Sequence, residues 1–137
     1  MPKDIVEEMR SKGLSVIESE KIESSISHVD IVYSTRIQEE RFTSKHEADL
    51  YRGKFRLNQA IYTAHCEPNT VIMHPLPRDS REEANELDID LDGNPSLAIF
   101  RQTDNGLLVR MALFAMTLDV VNLIEKHSSE VPWHNLR

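Results

Sequence analysis

Apolar positions Ile5, Val6 and Met9 recur at three-to-four-residue spacing after Pro2 and stop at Gly13, which predicts a helix over residues 2–12. Residues 14–17 (Leu-Ser-Val-Ile) read as a short strand, residues 20–27 as a second helix, and residues 29–33 (Val-Asp-Ile-Val-Tyr) as a strand rich in β-branched side chains. A polar passage over residues 34–54 follows, with a loop at residues 43–46, a helical turn at residues 47–51, and the character of a mobile segment. Residues 55–57 suggest the start of a strand. Asn58 is placed to cap a helix reaching His65, and residues 70–73 (Thr-Val-Ile-Met) form another apolar strand. Beyond a turn at residues 93–95, Ser96 is placed to cap a helix from Leu97, and a nearly all-round apolar helix runs from Asn105 to about Lys126. Helix and strand alternate through short links, the pattern of parallel βα units, so the expected class is α/β.

Composition narrows what such a domain does. At 137 residues the chain is long enough for one domain that buries roughly two thirds of its unfolded surface. A net charge of −7 and a pI near 5.3 argue against general affinity for nucleic acid or anionic membranes, since both select for clustered Lys and Arg. Arg110, Asp119 and Asn122 interrupt the most apolar stretch, residues 107–124, which favours a packed helix over a membrane span. The single cysteine, Cys66, excludes an internal disulfide, and the acidic N-terminus lacks a signal-peptide core; the cytoplasm is the expected compartment. The acidic run at residues 81–92 mimics a calcium loop at Asp88, Asp90, Asp92 and Gly93, but the twelfth position holds Ile99 and Pro95 interrupts. A solvated acidic loop is expected there, with no metal.

Two segments carry candidate chemistry. The first is His74-Pro75-Leu76-Pro77-Arg78, which leaves the strand at residues 70–73 with no spacer. Its prolines preset the backbone at alternate positions, suiting either a sharp structural turn or a rigid ligand contact. The second is Thr35-Arg36-Ile37-Gln38-Glu39-Glu40-Arg41, which follows the strand ending at Tyr33. Arginine offers a planar fork for a carboxylate or phosphate, and glutamine adds a donor and an acceptor. Both segments fall at carboxyl ends of predicted parallel strands, where α/β sheets bind ligands, so an anion-binding crevice is the expectation.

Together these segments resemble aspartate carbamoyltransferase, in the C-terminal half that holds its aspartate-binding domain. The resemblance rests on residues 29–33 with 35–42, Met73 through Arg78, Phe100-Arg101-Gln102, Asn105-Gly106-Leu107 and Arg110-Met111-Ala112-Leu113, in that order. It implies an incomplete Rossmann-like aspartate-binding domain over residues 1–127, part of a doubly wound parallel sheet, slightly truncated at its start, with a tail at 128–137. It further implies transfer of a carbamoyl group from carbamoyl phosphate to L-aspartate in pyrimidine synthesis, without a cofactor. Arg36 and Gln38 would hold aspartate, and Leu76 and Pro77, joined by a cis peptide, would give backbone contacts to carbamoyl phosphate. Thr35, Arg41, His74, Pro75 and Arg78 would support these loops. Ornithine carbamoyltransferase carries cysteine where Pro75 stands and lacks the Thr-Arg-x-Gln segment, so aspartate is the expected substrate.

The sequence departs from the family in ways that matter. The Ser-x-Arg-Thr phosphate cradle, the catalytic histidine before a Pro-Thr-Gln stretch and the second aspartate-binding arginine are not found in these 137 residues. The expectation is therefore a chain inert by itself, acting with a carbamoyl-phosphate-binding partner chain or as a homo-oligomer. The alternative is a noncatalytic module that binds aspartate, a dicarboxylate or another protein. Glu39 stands where the family usually has a basic residue, and an acidic insertion of about five residues follows Arg78. Residues 107–124 would lack the partner that this helix meets in the family, unless the tail with Trp133 and His134 covers part of it.

Overall fold

A computed structural model describes residues 2–127. It divides into two compact units, with the boundary after Ile99. In the first unit, α1 (Lys3–Ser11) starts at Pro2 and ends where Gly13 takes φ +77°. Leu14 N–H then reaches back to the Met9 carbonyl at 3.1 Å, a left-handed stop that a residue without Cβ adopts freely. The short α2 (Ile22–Ser25) leads to β1 (Ile31–Tyr33), which pairs in parallel with β2 (Val71–Met73) in the register Ile31 to Val71, Val32 to Ile72 and Tyr33 to Met73. Single parallel bridges extend this core: Leu97 joins Ile72, and elsewhere Leu57 joins Leu87. The result is an α/β unit with a small parallel sheet and helices between and beside its strands.

Between the strands lie a 3-10 turn at Glu39–Arg41, α3 (Lys45–Asp49) and α4 (Gln59–His65). The Asn58 side chain accepts the Ile61 N–H at 2.8 Å, as the cap expected there should. Asn58→Ala is expected to lower stability by about 1 kcal/mol, read as a shifted urea midpoint with unchanged slope. Tyr62, on the buried face of α4, donates its hydroxyl to the Thr70 carbonyl at 2.9 Å and so ties α4 to the start of β2. The core holds Ile26, Leu57, Tyr62, Ile72, Leu87, Leu91, Leu97 and Ile99.

Four local expectations change. Residues 14–17 form no strand: Leu14 and Ile17 are exposed, and without a neighbouring ladder an extended segment has no hydrogen-bonding reason to be one. Ser96 caps no helix, because residues 96–98 run beside β2, with Ser96 accepting from Ile72 N at 2.9 Å and Ala98 N donating back to Ile72 at 2.8 Å. The helix begins later, as α5 (Ile99–Thr117). The apolar helix also does not run unbroken to Lys126: Asp119 takes φ +54°, Val120 N closes on the Ala115 carbonyl at 2.9 Å, and α6 (Val121–His127) starts afresh.

The fourth change concerns the acidic run. It is not a solvated loop: Ala84, Glu86, Leu87 and Leu91 are buried, and a 3-10 turn at Ile89–Gly93 begins at Asp88. Asp88 pairs with Arg56, Asp90 accepts the Gln59 N–H at 3.1 Å, and Asp92 holds Arg78 at 2.8 Å. Glu86, Asp88, Asp90 and Asp92 are spent on internal anchors, while Glu82 and Glu83 are exposed. Among the described residues, no group of three or more His, Cys, Asp or Glu side chains is arranged to hold a metal.

In the second unit, Leu107, Leu108, Val109, Met111, Leu113 and Phe114 of α5 are each more than half exposed. No described helix is long and apolar enough to cross a membrane. The tail with Trp133 and His134 lies outside the described residues.

Candidate functional site

Because β1 and β2 are parallel and in register, the segments that leave them emerge side by side at one end of the sheet. Ser34 N donates to the Met73 carbonyl at 2.9 Å, which holds the two exits together. After β1 the chain lines an open cavity of about 650 Å³, with Ile22, Val32 and Phe42 on its apolar side and Thr35, Arg36, Gln38 and Arg41 supplying polar groups. Arg36 is 42% exposed and touches Glu40, four residues on, through one nitrogen at 3.3 Å. Most of its donor fork therefore remains available to an incoming carboxylate.

After β2 the chain is held from inside. His74 is buried, and its Nδ1 accepts the Leu76 N–H at 2.8 Å, so the ring proton sits on Nε2. Nε2 donates to Glu86 Oε1 at 2.7 Å. Burial pushes the His74 pKa down, only partly opposed by the Glu86 carboxylate, which keeps the imidazole neutral and this tautomer in place. Leu76 has φ +54°, and the Leu76–Pro77 peptide is cis. With the Leu76 N–H turned inward and Pro77 having none, the backbone here offers a ligand carbonyl acceptors.

Ion pairs join the two exits. Glu39 receives Arg52 at 3.0 Å and Arg81 at 2.7 Å, while Arg81 grips Asp79 with two nitrogens at 3.0 and 2.5 Å. The Arg81 side chain, with its hydrogen bonds, holds the Asp79 carboxyl at about 2 and keeps Glu39 below the usual carboxylate range. Arg36 also contributes its charge to Asp79. The glutamate at position 39 thus serves as the anchor between the loop after β1 and the loop after β2.

Thr35, Arg36, Gln38 and Arg41 line the same cavity. Leu76 and Pro77 do not line it; they sit on the adjacent exit, half-buried and exposed respectively, with Pro75 exposed beside them. Arg78 turns away to grip Asp92 with both terminal nitrogens, at 2.8 and 3.3 Å. Sequence reasoning missed the contacts of Glu86 with His74 and of Arg81 and Arg52 with Glu39, which span 12 to 42 positions. No spacing in the sequence marks such contacts.

Two parallel strands whose exit loops stand side by side at their carboxyl ends define this as an α/β domain, with its candidate site at the edge where such sheets take ligands. Residues 1–117 match the family model for the aspartate/ornithine carbamoyltransferase Asp/Orn-binding domain, and the chain belongs to that family. The aspartate carbamoyltransferase catalytic subunit of Saccharophagus degradans is 69% identical over 137 residues, covering all of this chain and 41% of that protein. The catalytic subunit of Dichelobacter nodosus is 48% identical over 93% of this chain and 37% of its own length. The chain therefore spans about two fifths of these relatives. Among solved structures, the catalytic subunit of M. jannaschii aspartate transcarbamoylase superposes with TM-score 0.71 at 32% identity, covering 87% of this chain and 37% of that one. The Trypanosoma cruzi enzyme in complex with aspartate and phosphate gives 0.65 at 28% identity, over 83% and 33%.

Proposed function

We propose that this domain is the aspartate-binding side of an aspartate carbamoyltransferase. In that reaction the aspartate amine nitrogen bonds to the carbonyl carbon of carbamoyl phosphate. The bond from that carbon to the phosphate oxygen breaks, phosphate leaves with the electron pair, and the amine gives up a proton. The observation that carries the reading is Arg36 beside Gln38 and Arg41 at the mouth of the cavity, next to a backbone segment rich in acceptors. Arg36 and Gln38 bind the carboxylates of aspartate. The carbonyls of Leu76 and Pro77 suit the donor N–H groups of a carbamoyl amide, where a phosphate would require donors. Solved relatives hold aspartate with phosphate and carbamoyl phosphate, each in the Trypanosoma cruzi enzyme.

Positioning two reactants and stabilising the developing charge account for most of the acceleration in such a transfer. This chain supplies groups for aspartate and for one end of carbamoyl phosphate, so turnover is proposed to require a second, phosphate-binding half. The exposed apolar surface of α5 supports assembly with another chain or another copy.

Mixing the chain with the remaining N-terminal portion of the Saccharophagus degradans relative should restore formation of carbamoyl aspartate, while each alone stays silent. Titration calorimetry with L-aspartate, with and without phosphate, should show binding. Heat without product from the mixture would favour a noncatalytic binding module. Neither heat at millimolar ligand nor product at high concentrations of both halves would overturn the reading.

A further inference from the structure

The Glu86 side chain is nearly fully buried, and all the polar contacts that account for it converge on the loop after β2. One oxygen accepts His74 Nε2 at 2.7 Å; the Asp79 N–H points between both oxygens, at 3.2 and 3.3 Å. A single carboxylate thus clamps the first residue of the loop and the sixth. Its own backbone is fixed independently, since the Glu86 carbonyl accepts Leu57 N–H at 2.9 Å and Asp88 N–H donates to the Leu57 carbonyl at 2.9 Å. The clamp is therefore delivered from the core and does not move with the loop. Burying a carboxylate is costly, and packing alone would be met as well by an apolar side chain. What an apolar side chain cannot do is choose the imidazole tautomer. With a carboxylate at Nε2 the proton stays there, Nδ1 stays an acceptor, and Nδ1 is what turns the Leu76 N–H inward.

We propose that Glu86 is a positioning residue: acting through His74 and the Asp79 amide, it sets the backbone of Leu76 and Pro77 so that their carbonyls face the carbamoyl group. This rests on the reading of that loop as a carbamoyl phosphate contact. Glu86 touches no substrate itself, and its influence runs by two hydrogen bonds through an imidazole.

The test uses Glu86→Ala and the near-isosteric Glu86→Gln, the second because it retains one acceptor oxygen and the shape of the side chain. Nitrogen-15 NMR of the chain alone should find His74 in the Nε2–H form in the parent and a tautomer mixture in Glu86→Ala. Amide exchange at Leu76 and Asp79 should quicken about tenfold or more, with Ile61 and Ile72 unchanged. Glu86→Gln should speed exchange at Asp79 while keeping the fold. In the reconstituted pair of halves, both variants should raise KM for carbamoyl phosphate about tenfold and leave KM for aspartate unaltered. An unchanged tautomer with unchanged exchange would overturn the proposal. So would exchange that quickens equally at Ile72, or equal losses for both substrates, since those mark a role in general stability. If the parent pair makes no product, the functional reading fails by that result, and the NMR arm still decides the role of Glu86.

Discussion

Arg36→Ala is expected to weaken L-aspartate binding by roughly 10- to 150-fold, the worth of one charge-assisted contact of about 1.5–3 kcal/mol. The size of the loss follows from how the arginines are used. Arg78 and Arg81 are each held by paired contacts to carboxylates, whereas Arg36 makes one long contact to Glu40 at the rim of the cavity. A dicarboxylate entering the cavity meets a guanidinium that is oriented by Glu40 and still rich in donors. Arg36→Lys should recover only a small part of the affinity, because an ammonium keeps the charge and loses the planar fork. Calorimetry against aspartate checks both variants. Binding that survives Arg36→Ala within twofold would remove Arg36 from the site, and with it the basis for placing the substrate carboxylate there.

Ile72→Ala should cost about 2–5 kcal/mol, a large part of the roughly 5–15 kcal/mol that holds a typical domain together. Ile72 is fully buried at the centre of β2, opposite Val32, and bonds through its N–H and carbonyl to Ser96 and Ala98 on its other side. Its side chain is surrounded by the core cluster, so truncation leaves a cavity that the bonded backbones resist closing. Ile31, in the neighbouring strand and 55% exposed, is the internal comparison: Ile31→Ala should stay within about 0.5 kcal/mol. Urea unfolding of the two variants would show the contrast, and equal shifts would mean that the core is not organised around β2.

Much of the architecture is legible along the chain because it is encoded locally. β-Branched runs became β1 and β2, Asn58 capped α4, and Gly13 ended α1 with a positive φ that it adopts without penalty. The segment 14–17 misled for the complementary reason. A strand is stabilised by its neighbour, and these residues pair with none among those described. The apolar run after Asn105 correctly signalled helix but not its break, which depends on one aspartate adopting a left-handed conformation at position 119.

The same division runs through the site. The sequence by itself determined which residues could recognise a carboxylate, Arg36 and Gln38, and where a stiff backbone segment would stand, since side-chain chemistry and proline geometry are properties of single residues and their neighbours. Tertiary structure alone decided that Thr35, Arg36, Gln38 and Arg41 share a cavity, that Arg78 turns toward Asp92, and that the loop after β2 is clamped by Glu86. These depend on parallel strands bringing distant segments to one edge. Within a run of acids nothing distinguishes the glutamate that faces solvent from the one that folding carries beside a buried histidine.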